Sequence, residues 1–356
     1  MAQRQTTSGT ATISATDDLA TKSFPSIIEI KRQIPNHCFE ASIPTSLYYA
    51  AKDLVLVLAL YLAAMAMWYF APTSLCLALT PVYWLLQGTL FMAIFVVGHD
   101  CGHGSFSNND LLNDTVGVFL HSFVMTPYYS WKISHRVHHK NTGNIDKDEI
   151  FFPLREKSDN GRAFLPGFGL GLGWFMYLVL GFKHRTTKHF NPRDPIFTRH
   201  VLGVVISLAY LFMWSVGVYS YAQVMGFGHV LYYYGVPVFV FASFLVIVTF
   251  LHHTEEQVPW YVDGVWDNVR GQVSSIDRDY GWCHNIIHNI GTHQIHHLFP
   301  KIPHYHLEEA TRFYRKAFPG LVHIRNDPIL ASFMRMFVKY CKQHIVDDHA
   351  KVHVYN

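Results

Sequence analysis

Charged side chains are scarce in this sequence of 356 residues, and two long stretches have none. Asp, Glu, Lys and Arg make up 15% of the chain, whereas about a quarter is usual for a soluble domain. No charged residue occurs from Leu54 to His99 or from His200 to Thr254. Both stretches exceed the ~20 residues that one membrane crossing needs, so the scarcity of charge argues against a soluble protein.

Cysteine is also sparse, with five residues that form no C-x-x-C pair. This spacing argues against a zinc knuckle or a redox dithiol and favours free thiols in a reducing compartment or a bilayer. The net charge is only +3, and no basic stripe with interleaved aromatic residues occurs. We therefore expect no nucleic-acid partner.

Each uncharged stretch is long enough for two membrane crossings and a turn. Pro72 and Pro81 mark the turn region of the first stretch, and Gly226 and Gly228 mark that of the second. Neither stretch has a polar face, which makes buried helices of a soluble protein a weak alternative. The pattern predicts an all-α, multi-pass integral membrane protein with four transmembrane helices in two hairpins.

The basic residues lie outside the hairpins and avoid their turns. The positive-inside rule then predicts that both termini, and the histidine clusters described below, face the cytosol. Two further apolar segments, 111–131 and 163–182, could also cross. Asp114 and His121 interrupt the first and four alternate glycines weaken the second, so both are predicted to lie at the interface or to re-enter.

The domain boundaries are predicted from composition. Residues 1–24 are rich in Ser, Thr and Ala and lack the apolar core of a signal peptide, so we expect a disordered N-terminal tail. Residues 25–345 are assigned to one membrane domain, whose polar part after Thr254 forms a cytosolic cap. Residues 346–356 are assigned to a C-terminal tail.

Histidine, in contrast, is abundant, and eight of the 24 histidines form three clusters. The first cluster is H-x-x-x-H and the other two are H-x-x-H-H: His99 and His103; His135, His138 and His139; and His293, His296 and His297. Spacings of three and four residues put the members of each cluster on one face of a helix. Three such faces can converge on a metal centre. Imidazole binds Fe, Cu, Zn and Ni, so the residue type alone leaves the metal open.

Eight imidazoles are too many for one metal, because catalytic zinc usually takes three protein ligands. Eight or nine nitrogens suit two six-coordinate metals with open positions, for which redox-active iron is the natural choice. We expect a ninth ligand from His252 or His253 at the end of the fourth crossing, with His253 preferred and with His284 and His288 as further alternatives. Ligating imidazoles usually donate their second N–H to an acceptor. The candidate acceptors near the clusters are Asp100, Asp146, Asp148, Glu149, Asp277, Asp279 and Asn289.

With these clusters, the chain after residue 24 resembles the membrane fatty acid desaturases, whose signature is this order and spacing of histidines. Finer matches indicate the methyl-end branch, which includes the Δ12 and ω3 enzymes. They are IPNHCF (34–39), HDCGHGSFSN (99–108), HHKNTGNIDKDEI (138–150), VTFLHHTEE (248–256) and NIGTHQIHH (289–297). The first resembles the motif that precedes the membrane in this branch. The others are similar to ω3 enzymes, and the third and fourth to those of invertebrates, especially the nematode type.

The resemblance implies a non-haem di-iron centre held by the clustered histidines, with O₂ as co-substrate. It also implies insertion of a methyl-end double bond into an unsaturated C18 or C20 acyl chain. A separate electron donor is implied, either cytochrome b5 in an endoplasmic reticulum or ferredoxin in a photosynthetic membrane, because no His-Pro-Gly-Gly haem motif occurs. Δ12 desaturases and acyl hydroxylases of the same branch share the eight histidines and remain alternatives.

Two other classes fit the sequence less well. A metal transporter would hold its ligands near the bilayer midplane, whereas these clusters lie at hairpin ends and beyond. A zinc hydrolase would need a glutamate base, as in H-E-x-x-H, and the three clusters contain no Glu. A desaturase also needs a narrow apolar tunnel for its acyl chain. The candidates for its mouth, or for an interfacial aromatic belt, are Trp131, Trp260, Tyr261, Trp266 and Trp282.

Overall fold

A computed structural model describes residues 19–159, 161, 163–182 and 184–356. Its principal helices, numbered in chain order, are α1 (Ile27–Arg32), α2 (Ile43–Phe70), α3 (Thr73–His103), α4 (Asp110–Phe123), α5 (Tyr128–Asn141), α6 (Leu170–Leu180), α7 (Val201–Met225), α8 (Phe227–His253), α9 (Asn268–Val273), α10 (His293–Leu298), α11 (His304–Ala317) and α12 (Ile329–Gln343). The two-residue strands are β1 (Leu154–Arg155), β2 (Trp260–Tyr261), β3 (Asp277–Arg278), β4 (Ile324–Arg325), β5 (Ile345–Val346) and β6 (Val352–His353).

Within the described residues, four helices are long and apolar enough to cross a membrane, namely α2, α3, α7 and α8. They form two hairpins, which confirms the predicted membrane fold. The second hairpin turns at Gly226, whose φ of +90° is a conformation that glycine adopts without steric cost. The first turns at Pro72, but Pro81, which was also assigned to the turn, lies inside α3. Membrane helices tolerate an internal proline because neighbouring groups satisfy the freed backbone.

The two hairpins pack with α3 and α8 in the centre and α2 and α7 outside. In α3 and α8, 72% and 50% of the most apolar segment is buried, compared with 17% in each outer helix. The outer helices therefore present an apolar surface that suits lipid and not water. The central helices approach closely at Gly88, where an added Cβ would lie 2.5 Å from a methyl group of Val240.

The helices α4 and α6, which lie in the two further apolar segments 111–131 and 163–182, are too short to cross a membrane. They contain 14 and 11 residues, or about 21 and 17 Å at 1.5 Å per residue, against the ~30 Å of a hydrocarbon core. Helix α6 packs along α8, and α4 packs against α3 and α7. The prediction that segments 111–131 and 163–182 do not span the membrane agrees with these lengths.

The remaining chain forms a cap over one end of the hairpins. Three two-stranded sheets connect its segments. Strand β1 pairs in parallel with β5, β2 antiparallel with β6, and β3 in parallel with β4. The end of α8 is fixed to this cap by the buried Glu255, which pairs with Arg278 and, at 2.9 Å, with Arg335. The cap thus holds the last turn of α8 in a defined position.

Both chain ends of the described part pack against the cap. Arg270 donates hydrogen bonds to the carbonyl oxygens of Ala20 (2.9 Å) and Lys22 (3.0 Å). Residues 1–18 of the predicted tail lie outside the described residues. In the segment 346–356, predicted as a C-terminal tail, β6 pairs with β2 and Tyr355 is fully buried.

Candidate metal centre

The three histidine clusters and His253 are brought to one end of the hairpins by four helices. His99 and His103 occupy the last turn of α3, which ends where Gly104 takes a left-handed conformation (φ +73°). His253 is the last residue of α8. The second cluster lies on α5 and the third forms most of α10. Since α3 and α8 are the second helices of their hairpins, both hairpins return to the same side.

A first group of five imidazoles surrounds one point. Their candidate ligand atoms all lie within 4.8 Å of one another, and the residues are His99, His103, His135, His139 and His296. The Nε2 atoms of His99 and His103 are 3.2 Å apart. All three clusters contribute to this group, so residues separated by almost 200 positions in the chain meet there.

A second group lies beside the first. It contains His138, His253 and His297, whose candidate ligand atoms also lie within 4.8 Å of one another. His293 joins them, because its Nε2 is 3.2 Å from that of His253 and 2.9 Å from that of His297. The expected ninth imidazole, His253, thus lies among the clustered histidines.

The chemistry of both groups fits metal ions. Two nitrogens bound at right angles to one metal at ~2.1 Å would lie about 3 Å apart, close to the separations of 2.9–3.2 Å found here. The buried Nε2 atoms of His135, His139 and His296 have no hydrogen-bond partner among the described residues, which is costly without a ligand. Burial lowers the pKa of these three imidazoles well below the usual value, so their lone pairs are free at neutral pH.

Two of the predicted acceptors lie beside clustered imidazoles. The carboxylate of Asp148 lies 2.6 Å from Nδ1 of His138 and also accepts the backbone N–H of Gly143. Asp100 lies between two rings, 3.5 Å from Nδ1 of His99 and 2.9 Å from Nδ1 of His304. Asp148 therefore fixes the orientation of the His138 ring and leaves the opposite nitrogen pointing into its group, whereas Asp100 bonds to His304 and Nδ1 of His99 makes no hydrogen bond among the described residues.

The other predicted acceptors have different partners. Asp146 pairs with Arg155 at 3.0 Å. Asp277 accepts the backbone N–H of Gln294 and pairs with Arg315, each at 2.8 Å, so it holds the start of α10 in place. The remaining three contact no clustered imidazole within the described chain: Asp279 is exposed, Asn289 has an unpaired Oδ1, and Glu149 accepts a hydrogen bond from Thr187.

The alternative ninth ligands are occupied elsewhere. His252 contacts the Tyr280 hydroxyl at 2.6 Å and stacks on His293. His288 pairs with the buried carboxylate of Asp53 at 2.5 Å. His284 lies 3.9 Å from the carboxylates of both Asp279 and Glu308. Of these candidates, only His253 has a ring nitrogen within 4.8 Å of those of His138 and His297 among the described residues.

Sequence reasoning missed two polar side chains that hold the third cluster against the second. Nδ1 of His297 lies 3.0 Å from Oγ1 of Thr142 and 3.1 Å from Oε1 of Gln272. The Gln272 amide also donates to the carbonyl oxygen of His139. Thr142 follows the second cluster by one helical turn, a signal that could have been noticed. Gln272 is in no motif, and its contacts depend on the tertiary fold.

A cavity of about 580 Å³ opens beside the histidines, between α3, α5, α6 and α8. This volume falls within the ~300–1,000 Å³ of small-molecule sites. Its walls are mainly apolar and aromatic, with Phe95, Trp131 and Trp174 among them, and His99, His138 and His253 border it. Glu149 is also on the wall, where burial raises its pKa to about 7. Of the five aromatic candidates for a tunnel mouth, Trp131 lines this cavity.

The fold and the site together define a helical membrane protein with two histidine groups that could hold metal ions beside an apolar cavity. Comparison with known proteins specifies this class further. The fatty acid desaturase family matches residues 76–327, and the chain belongs to this family of oxidoreductases.

Individual relatives are similar over most of the chain. An "Omega-3 fatty acid desaturase, endoplasmic reticulum" from Vigna radiata var. radiata is 40% identical over 335 residues, covering 91% of this chain and 85% of the relative. An "sn-1 acyl-lipid omega-3 desaturase (ferredoxin)" from Nostoc sp. (strain 36) is 39% identical, covering 85% and 84%. A "Delta(12)-fatty-acid desaturase" from Arabidopsis thaliana is 38% identical, covering 81% and 79%. The expected methyl-end branch is therefore confirmed.

Proposed function

We propose that this protein is an O₂-dependent acyl desaturase that inserts an ω3 double bond into unsaturated C18 or C20 chains. The observation that carries the desaturase assignment, though not the ω3 position, is the convergence of nine imidazoles, in two groups, on the end of an apolar cavity. Two of the named relatives at 39–40% identity are ω3 desaturases, and the motifs around the clusters also favour ω3.

The nine histidines are the proposed ligands of two non-haem irons. His99, His103, His135, His139 and His296 would hold one, and His138, His253, His293 and His297 the other. When bound, the irons would supply the redox chemistry of the reaction. In this reaction one hydrogen is removed from each of two adjacent methylenes, which leaves a double bond, and O₂ is reduced to two waters with these two hydrogens, two electrons from the donor and two protons. Asp148 orients His138.

The protein's own contribution to the reaction is to hold the chain in one register. An acyl chain offers no charge along its methylenes, so position must come from the shape of the walls. Two buried aromatic residues form part of this wall: Trp131, which stacks on His135 with ring centroids 4.4 Å apart, and Phe95, which packs against Trp131. The same walls exclude water, which protects a strong oxidant from side reactions.

The electron donor is proposed to be a separate protein, and both termini and the histidine groups are proposed to face the cytosol. In a eukaryote the location would be the endoplasmic reticulum with cytochrome b5 as donor, and in a photosynthetic membrane the donor would be ferredoxin. The relatives named above include both an endoplasmic reticulum protein and a ferredoxin-dependent one. The scarcity of basic residues at the hairpin turns supports this orientation.

Fatty acid analysis after expression in yeast tests the regiochemistry. Cells receive linoleate, arachidonate or no supplement, so that endogenous oleate is the only C18 monoene in the last culture. An ω3 enzyme converts linoleate to its ω3 product and leaves oleate unchanged. Conversion of oleate to linoleate would identify a Δ12 enzyme instead, and a hydroxylated product would identify a hydroxylase.

Metal analysis of the purified protein tests the centre separately. We expect about two irons per chain, and loss of at least the iron of the affected group when His138 or His139 is replaced by Ala. Zinc in place of iron at the histidine groups of active protein would contradict the redox assignment. Metal transport, the remaining alternative, would give metal uptake without any change in the fatty acid profile.

The place of the acyl chain can be tested with Thr249, which lines the cavity one turn before His253. A Thr249→Phe substitution adds a ring to the wall, so we expect desaturation to fall while the iron content stays unchanged. Thr115 is a matched control, because its hydroxyl also bonds within its helix, to Leu111 at 2.8 Å, but its side chain is exposed. Full activity of Thr249→Phe would exclude this cavity as the substrate site.

A further inference from the structure

A separate cluster of metal-binding side chains lies where the segment before α2 meets α11. It consists of His37, Cys38, His306 and Glu309, whose candidate ligand atoms all lie within 4.8 Å of one another. The first two lie on the short 3₁₀ turn Asn36–Phe39. The last two are three residues apart on α11 and share a face of that helix. We propose that these four side chains form a zinc site that fastens the pre-membrane segment to the cap.

The distances within the cluster are near those of a tetrahedral site. Nε2 of His37 lies 3.0 Å from Oε2 of Glu309 and 3.8 Å from Sγ of Cys38. Zinc binds nitrogen and oxygen at ~2.1 Å and sulfur at ~2.3 Å, so these pairs would lie about 3.4 and about 3.6 Å apart. The His306 ring meets that of His37 edge to face, with centroids 5.6 Å apart. The other pairs of candidate ligand atoms lie within 4.8 Å of one another, so side-chain rotations would close the site around an ion.

The donor set favours zinc over calcium and magnesium. The thiolate and the two imidazoles are soft and borderline ligands that suit zinc, which also binds carboxylate oxygen, whereas calcium and magnesium take oxygen ligands. The thiolate and the carboxylate together neutralise a divalent ion. Binding forms a Zn–S bond and releases the proton of the Cys38 thiol to solvent. Burial raises the pKa of this thiol to about 11, so without a cation it stays protonated.

The position of the cluster gives the site a structural consequence. Cys38 is fully buried in the apolar cluster of the cap, while the His37 side chain is 54% exposed, so an ion can enter from solvent. The site joins two elements that are more than 260 residues apart in the chain. Helix α11 begins with His304, which contacts Asp100 beside His99. Zinc here would hold α11, and with it the contact between His304 and Asp100, without touching the proposed iron groups.

Cobalt substitution in the purified full-length protein tests the proposal. The iron-loaded protein is titrated with Co²⁺, and we expect one equivalent to give a thiolate-to-cobalt charge-transfer band that Zn²⁺ displaces. The histidine groups contain no thiol and give no such band. The band should vanish in Cys38→Ser, weaken at least tenfold in apparent affinity in His306→Asn and Glu309→Gln, and persist in Cys341→Ser, which removes an exposed cysteine. No band in the wild type, or a band that survives Cys38→Ser, would overturn the proposal.

Iron content and thermal stability, measured on the same preparations, separate loss of the site from misfolding. His306 and Glu309 are partly exposed, so their variants should keep their iron while losing cobalt affinity. Zinc at a hundredfold excess over its Kd should raise the melting temperature of the wild type by roughly 2–5 °C and leave Cys38→Ser unchanged. An equal shift in that variant would contradict the site. Because the band requires neither iron nor activity, the zinc proposal can stand even where desaturation fails.

Discussion

Nδ1 of His138 lies 2.6 Å from the carboxylate of Asp148, while Nε2 of the same ring points at Nε2 of His253 from 3.2 Å. One nitrogen is thus held as a donor so that the other presents its lone pair to the second histidine group. Asp148 is itself fixed by the backbone N–H groups of Gly143 and Glu149. The carboxylate therefore sets the tautomer and the direction of a proposed ligand that it does not replace.

Replacing Asp148 with Asn should lower iron affinity or desaturation by about 10–100-fold, the usual effect of losing such a support. Iron content and product formation in yeast measure this effect. Asp146→Asn is the matched control, because its carboxylate lies two residues away but pairs with Arg155. Equal losses in the two variants would mean that the effect comes from charge in this loop and not from the orientation of His138.

His138→Ala should abolish desaturation while the protein still accumulates in membranes, because one imidazole of the second group is lost and the helix α5 is kept. Gas chromatography of cellular lipids and immunoblotting measure the two quantities. The control is His349→Ala, which removes a histidine from the cap surface far along the chain from the clusters. Retained product in His138→Ala would contradict its role as a ligand.

Gly98→Ala should destabilise the protein by about 1–3 kcal/mol and disturb the neighbouring His99. An added Cβ would lie 2.3 Å from the ring of His121, which cannot move away because it is fully buried, stacked on Phe95 and bonded to its carbonyl oxygen. Melting temperature in detergent and iron content measure the effect. In Gly217→Ala, a Cβ on α7 would meet nothing within 4 Å, so its stability should be unchanged or slightly higher.

Acid should destabilise the protein partly through His189, which is fully buried and lies 2.8 Å from Oγ of Ser134. Burial lowers the pKa of His189 to about 4, below the ~6.5 of an unfolded histidine. The unfolded state therefore binds the extra proton first, so stability is full above pH ~6.5, falls as the pH drops towards 4, and then levels off. The loss from this residue is about 3 kcal/mol.

Melting temperatures of the detergent-solubilised protein between pH 7 and pH 4 measure this dependence. His189→Gln keeps an N–H donor but removes the titration, so its melting temperature should fall less over this range than that of the wild type. Parallel curves for the two proteins would show that His189 does not contribute to the acid sensitivity.

Cysteine labelling can test the proposed cytosolic orientation, because Cys341 is exposed and the other four cysteines are buried. Sealed microsomes present the cytosolic face outward, so a membrane-impermeant maleimide should label the wild type without detergent and should not label Cys341→Ser. Labelling only after permeabilisation would place α12 and the cap on the lumenal side.

The membrane helices and the histidine clusters could be predicted because each is a local pattern. Absence of charge gives the crossings, and spacings of three and four give the helix faces. The sequence patterns did not predict the features that depend on contacts between residues far apart in the chain. Helix α2 begins at Ile43, before the uncharged stretch, since the buried Asp53 is paired with His288. The link from Gln272 to two histidine clusters, and that from Asp100 to His304, likewise join residues that only the folded chain brings together.

The close contact between Gly88 and Val240 has a wider consequence. It sets how α3 and α8 cross, and these two helices end at His103 and His253, one in each histidine group. The distance between the two proposed irons therefore depends on how these two transmembrane helices pack. A change in the tilt of either helix would move one histidine group relative to the other.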